Sequence, residues 1–187
     1  MNKHKLFLDG KWLDSAAGET FEDINPATLE PIGLFQKGSM DDVNHAVDSA
    51  EEAFDSWSRT PPPQRAKILY RAARMLEERK EDLARLMTME NGKVLPEARG
   101  DVQEAIDMAY YTAGEGRRLF GETTPSELPN KFCMTVRRPI GVVGLITPFN
   151  FPLAIPAWKI MPALVSGNTM VLKPSSDTPL LAIELIK

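Results

Sequence analysis

A chain of 187 residues, 43% hydrophobic and 26% charged, has ordinary globular composition and suits one domain, or one and a piece. Its net charge of −4 lacks the basic excess of a nucleic-acid binder, and no apolar run reaches the roughly 18 residues of a membrane span. Cys133, the single cysteine, excludes an internal disulfide; with no secretory signal in MNKHKLFLDGKW, the chain is expected in a reducing cytoplasm.

Leu6-Phe7-Leu8 and Trp12-Leu13 flank Asp9-Gly10-Lys11, a hairpin signal because Gly accepts positive φ. Asn25-Pro26-Ala27-Thr28 reads as a turn and Ile32 to Gln36 as a strand, so the first forty residues predict a small β layer. Ser39, with Asp42 three residues on, predicts a capped helix start. Val43, Ala46, Val47, Ala50, Phe54 and Trp57 continue it at helical spacing. After Thr60-Pro61-Pro62-Pro63, Ile68, Leu69, Ala72, Leu76, Leu83 and Leu86 predict one long helix, stopped by Asn91-Gly92. Pro96 opens a third helix, carrying Val102, Ile106, Ala109 and Tyr110 to about Leu119. All three are explained by core packing alone. Gly121 to Lys131 reads as an irregular connector, and Phe132 to Arg138 as a strand reaching away from the body.

Chemistry enters with Arg137 to Pro179. Ile140 to Ile146 is apolar on both faces and predicts a strand buried in a parallel sheet. Thr147 to Phe151 is a loop. Pro152 opens a helix to about Val165, which Pro162 should kink or shorten, and Gly167-Asn168 closes it. Thr169 to Lys173 is a second buried strand. Strand, helix, strand over this length is the size of a βαβ crossover. Both strands then point the same way, so Asn150 and Lys173 meet at the carboxyl edge where open α/β sheets bind ligands. Asn150 is either a ligand-facing amide or a turn residue bonded to nearby backbone. Lys173 is either a ligand contact or a solvated strand end. Gly141 and Gly144 lie within the strand, so no standard dinucleotide fingerprint follows it.

These residues resemble the aldehyde dehydrogenase superfamily. The matching motifs are Ile146-Thr-Pro-Phe-Asn-Phe-Pro152, Lys159-Ile-Met-Pro-Ala-Leu164, Gly167-Asn168 and Leu172-Lys-Pro-Ser175, with Glu90-Asn-Gly-Lys93, Leu8 to Trp12 and Asn25-Pro-Ala27 earlier. The resemblance runs over essentially the whole chain. It implies an α/β fold: a Rossmann-like parallel-sheet cofactor-binding domain, incomplete, with an N-terminal β layer, helices and a β arm for oligomerisation. Residues 1–120 would be the β layer and helices, 121–139 the arm, and 140–187 the first βαβ part. It implies oxidation of an aldehyde to an acid with NAD or NADP through a cysteine thiolate, followed by water activated by a glutamate. Asn150 matches the oxyanion-holding asparagine, and Lys173 the lysine on the adenosine ribose or its phosphate. Ile146, Thr147, Pro148 and Phe149 match residues lining the cofactor, Phe149 standing where most relatives carry Trp. Ser176 replaces a glutamate found in many NAD-preferring relatives; its hydroxyl can donate to a 2′-phosphate that a carboxylate would repel, which favours NADP.

No metal site is expected, His4 and His45 being far apart. Cys133 falls in the arm and is not the nucleophile. The resemblance leaves the catalytic cysteine and glutamate outside these residues, so the chain reads as an N-terminal portion, inactive alone, of an enzyme acting on a small aldehyde as a homo-oligomer. The Gly114 to Ser126 stretch points to semialdehydes. Ser175 or Ser176 is expected to cap a last helix, Pro179 to Lys187, whose apolar face lacks partners. The alternative is a non-catalytic nucleotide-binding or assembly module.

Overall fold

A computed structural model describes residues 1–187 as a mixed α/β fold. It opens with β1 (Lys3–His4), β2 (Leu6–Leu8) and β3 (Lys11–Leu13). The expected hairpin forms, pairing Leu6 with Leu13 and Leu8 with Lys11. Asp9 and Gly10 both take positive φ, 50° and 70°, the turn whose twist suits paired strands. Strands β4 (Thr20–Ile24) and β5 (Pro31–Gln36) pair antiparallel, and β1 lies parallel to β5. Sequence reading finds β5 but neither flanking strand. β1 is two residues long, and β4 owes its place to pairing with β5 rather than to a strong local pattern.

Helix α1 (Met40–Arg59) starts as expected: Asp42 N–H donates to the Ser39 hydroxyl, and Ser39 N–H to the Asp42 carboxylate at 2.7 Å. The expected single long helix is instead two, α2 (Pro62–Glu78) and α3 (Lys80–Asn91). Arg79 breaks it (φ −99°, ψ 8°), and its guanidinium donates to the Glu184 carbonyl at 3.0 Å. That bond spans 105 residues of sequence and leaves no local signal. Gly92 ends α3 in the left-handed conformation, φ 80°. Helix α4 (Leu95–Glu115) stops before the expected Leu119.

In the segment expected to be an arm, β6 (Thr123–Thr124) and β7 (Cys133–Met134) form a short antiparallel pair. The strand expected from Phe132 to Arg138 is therefore two residues long; its remainder is exposed, with Thr135 N–H donating to the Glu122 carbonyl at 2.8 Å and Arg137 Nε to the Phe120 carbonyl at 3.0 Å.

Strand β8 (Val142–Ile146), helix α5 (Ala154–Val165) and strand β9 (Thr169–Lys173) form the expected unit, with β8 parallel to β9. Burial on both faces does not hold: Leu145 is buried, but Gly144 and Ile146 are exposed, because this sheet has only two strands. Helix α5 starts at Ala154 rather than Pro152 and continues past Pro162 to Val165. Its last carbonyls are taken by distant donors: Trp57 Nε1 reaches Leu164 O at 3.1 Å and Arg65 Nε reaches Val165 O at 3.0 Å. The chain closes with α6 (Pro179–Ile186).

Helix α4 is the hub, packed against α2, α3 and α5. Its buried stripe is rich in alanine (Ala98, Ala105, Ala109, Ala113), which lets three helices approach one axis. Leu69, Leu83, Met87, Ile106, Leu153 and Met161 fill the space between, and Leu181 of α6 belongs to the same core. No helix is long and apolar enough to cross a membrane.

Candidate functional site

The parallel ladder places Ile146 directly opposite Lys173, and Thr147 N–H donates to the Lys173 carbonyl at 3.2 Å. The loops following both strands therefore leave the sheet at one edge. Sequence reasoning brought Asn150 and Lys173 to this edge, and the register puts their loops there. Lys173 and Ser176 are exposed. Ser176 sits in a turn closed by Ser175, whose hydroxyl donates to the Asp177 carboxylate and accepts the Asp177 N–H, both at 3.2 Å. Ile146 is 73% and Phe149 54% exposed, so the edge carries apolar surface beside its polar groups. Pro148 is exposed as well; Thr147 is buried, and its hydroxyl oxygen has no partner.

The Asn150 loop is held by its backbone. Asn91 Nδ2 donates to the Phe149 carbonyl at 2.9 Å, and Lys93 Nζ to the Asn150 carbonyl at 2.7 Å. Lys93 also pairs with the fully buried Asp101 carboxylate at 2.9 Å and lies 4.2 Å over the Phe151 ring. The other Asp101 oxygen accepts the Ala154 N–H at 2.8 Å, placing a negative charge at the N-terminus of α5. On the strand side, Lys159 Nζ donates to the Ile146 carbonyl at 2.7 Å. The result is a loop fixed at Ile146, Phe149, Asn150 and Ala154, with the exposed Asn150 amide left free of these bonds.

Sequence reasoning missed this support. In the sequence Asn91 stands out only as a helix stop and Lys93 only within the Glu90-Asn-Gly-Lys93 motif, and Asp101 and Lys159 have no role of their own there. The usable signal was Asp101, a lone acid inside the apolar stripe Ala98, Val102, Ala105 and Ala109, since a buried charge requires a partner. Glu90 carries the same signal on α3, following Leu83 and Met87 on its buried face. Its carboxylate accepts Leu180 N–H at 2.5 Å and Leu181 N–H at 3.0 Å, capping α6. Neither Ser175 nor Ser176 does so: the N-cap is Thr178, without a side-chain bond, because a longer acid from another helix already satisfies the amides.

Cys133 lies on β7, paired with Thr124 in the arm. No group of three His, Cys, Asp or Glu side chains is arranged to hold a metal ion.

This arrangement has close counterparts. An alpha-ketoglutarate semialdehyde dehydrogenase of Haloferax volcanii is 44% identical over 184 residues, 98% of this chain and 38% of the relative. A malonate-semialdehyde dehydrogenase of Halalkalibacterium halodurans is 44% identical over 183 residues, again 98% and 38%. Among solved structures, an E. coli NADP-dependent enzyme superposes with a TM-score of 0.96 at 39% identity, covering 99% of this chain and 38% of that one. A betaine aldehyde dehydrogenase from Staphylococcus aureus in complex with NAD+ gives 0.95 at 37% identity, covering 98% and 37%. The chain thus spans about 38% of the length of the curated relatives it matches. The aldehyde dehydrogenase family matches residues 12–187, and the chain belongs to that family.

Proposed function

We propose that this chain supplies the oxyanion donor and the adenosine end of the dinucleotide site of a cytoplasmic NAD(P)-dependent aldehyde dehydrogenase. The enzyme would convert a small aldehyde, a semialdehyde by preference, to a carboxylic acid. One observation carries the reading: the parallel β8–β9 ladder ends in register at Ile146 and Lys173, bringing the Asn150 and Ser176 loops to one sheet edge. On this reading residues 140–187 begin a Rossmann-like cofactor domain, 1–120 are its β layer and helices, and 121–139 form an arm for homo-oligomer assembly. Two relatives named for semialdehydes support the substrate class.

The side chains at the edge suit a dinucleotide. Lys173 offers a cation and Ser176 a hydroxyl donor for ribose or its phosphate, and Ile146 and Phe149 offer exposed apolar surface for a flat ring. Thr147 and Pro148 complete the loop between them. When bound, NAD(P)+ supplies the hydride acceptor. The chain's own part in the chemistry is Asn150. Its amide N–H₂ donates to the oxyanion that forms when a thiolate adds to the aldehyde carbonyl, a contact of a kind worth about 10²–10³ in rate. The fixed loop backbone means that the donor need not be reorganised as charge develops. Cys133, in the arm, is not assigned the thiolate.

NADP is the favoured cofactor. A 2′-phosphate near Lys173 meets no carboxylate at position 176, and adding one there would cost about 1 kcal/mol at contact distance in water. Titrating the chain with NADP+ and NAD+ tests this. NADP+ should bind more tightly, and Ser176→Glu should weaken NADP+ about fivefold while leaving NAD+ unharmed. Failure to bind either nucleotide, or tighter NAD+ binding by the unaltered chain, overturns the assignment.

A further inference from the structure

One short junction reaches both loops of the candidate site. Between α3 and α4, Asn91 Nδ2 donates to the Phe149 carbonyl and Lys93 Nζ to the Asn150 carbonyl, so the junction holds the loop that follows β8. One residue earlier, the Glu90 carboxyl oxygens accept the Leu180 and Leu181 N–H groups. The first amides of a helix have no acceptor within it, so Glu90 supplies what α6 cannot. Its hold therefore falls at the end of the turn that follows β9 and carries Ser176. Asp101 and Lys159 support the β8 loop alone, at Ala154 and Ile146.

Gly92 gives the junction its shape. It takes φ 80°, and a Cβ added to it would come within 2.9 Å of Pro26 Cγ, in the turn between β4 and β5. The junction is thus seated against the β layer as well as bonded to both loops. From Glu90 to Lys93 the chain spans at most about 11 Å even when extended, so while these bonds hold the two loops keep a fixed separation.

We infer that Glu90, Asn91 and Lys93 are positioning residues, and that as one bracket they set the distance between the Asn150 amide and the Ser176 turn. The strands alone do not set it, because Asn150 and Ser176 both lie beyond the last pair of the ladder, Ile146 with Lys173. The ladder fixes where the loops begin, and the bracket fixes where they go. A dinucleotide reaching from the oxyanion donor to the adenosine end then meets both groups at their working distance, and its binding does not have to order either loop. That use rests on the roles proposed for Asn150 and Ser176; the bracket rests on its bonds.

Backbone order from 15N relaxation tests it, because fast order reports the folded molecule and a loss of global stability does not move it. Each amide reports one anchor: Asn150 N–H shares a peptide unit with the Phe149 carbonyl, and Phe151 N–H with the Asn150 carbonyl. In the parent, Asn150, Phe151, Leu180 and Leu181 should be rigid, with order parameters of about 0.85. Asn91→Ala should lower Asn150, and Lys93→Met should lower Phe151, to below about 0.6 while Leu180 and Leu181 hold. Glu90→Gln keeps a single acceptor oxygen, so it should loosen Leu180 or Leu181 and leave Asn150 and Phe151 rigid. Gly92→Ala displaces the junction without removing a bonding group and should loosen both loops together. Loops that are flexible in the parent, or rigid in every variant, overturn the bracket, as does a Gly92→Ala chain in which one loop alone loosens. NADP+ titration gives the functional readout: Glu90→Gln should weaken binding about fivefold, since the loosened turn must then be ordered on binding. Unchanged affinity in that variant overturns the positioning role of Glu90. A parent with rigid loops that binds no NADP+ overturns the proposed function and leaves the bracket in place.

Discussion

At the residue scale, Lys93 concentrates more of the site's order than any other side chain described. It neutralises Asp101, covers the Phe151 ring and fixes the Asn150 carbonyl. Asp101 has no exposed surface and Lys93 very little, so this pair escapes the solvent screening that makes surface ion pairs weak. Replacing Lys93 with Met preserves the aliphatic stem and strands a buried carboxylate on a single amide. Breaking a buried pair in this way costs about 3–5 kcal/mol, which urea unfolding of Lys93→Met would register. A loss below about 1 kcal/mol would show that water already reaches Asp101 and that the loop is held by Asn91 and Lys159 instead. Removing both charges, with Asp101→Asn added, should recover part of the loss, because no uncompensated charge then remains inside. The sequence made Asn150 and Lys173 legible because strand polarity is encoded in local pattern. It hid Lys93 and Asp101 in their roles because those roles are set by contacts reaching 57 and 53 residues along the chain.

At the element scale, the features that could be read are those in which a short segment decides its own conformation. Asp9-Gly10 sets its turn, Gly92 its helix end, and Ser39 with Asp42 the start of α1. Those that could not be read join elements: β1 and β4 on β5, the break at Arg79, and the α6 cap from Glu90. Asp42 belongs to both groups. Beyond its local box, it accepts the Ser15 hydroxyl at 2.6 Å and the Ala16 N–H at 3.0 Å, tying the segment after β3 to α1. Burial alone would push its carboxyl up. The bonds from Ser15, Ser39 and Ala16 outweigh that and hold it well below the usual carboxylate range. With a depressed folded-state pKa, its contribution is present above the unfolded value near 4 and is lost as pH falls below it. Asp42→Ala should therefore cost about 2 kcal/mol at neutral pH, as a cap and a buried acceptor are lost together. Acid titration of both proteins checks the sign: the gap between parent and variant should narrow toward low pH. A gap that widens there would exclude the ionised carboxylate as its source.

At the scale of the whole molecule, the surface is larger than the mass requires. The chain exposes 11166 Å² at 20.8 kDa, about a quarter more than the roughly 9,000 Å² of a compact monomer of that size. The apolar part of that surface includes several large side chains in two places. Ile140, 88% exposed, and Ile146 flank and end the two-stranded β8–β9 ladder, whose outer edges pair with nothing. Phe132, Met134 and Val136 line the arm, where β6 and β7 offer two residues each. Open edges beside exposed aromatic and aliphatic groups invite pairing, and a specific protein interface needs only about 800 Å² per partner. The chain should therefore associate at micromolar concentration, giving sedimentation velocity species heavier than 20.8 kDa. The arm is the better candidate for that contact, since its strands are too short to be stable in isolation and a partner would complete them. Phe132→Lys with Met134→Lys should then return the chain to a monomer while leaving its helical circular dichroism unchanged, because neither side chain belongs to the buried core. If association persists in this variant but yields to Ile146→Lys, the exposed β8–β9 edge is the contact. A parent chain that sediments as a monomer would mean that neither surface is adhesive enough to bring two copies together.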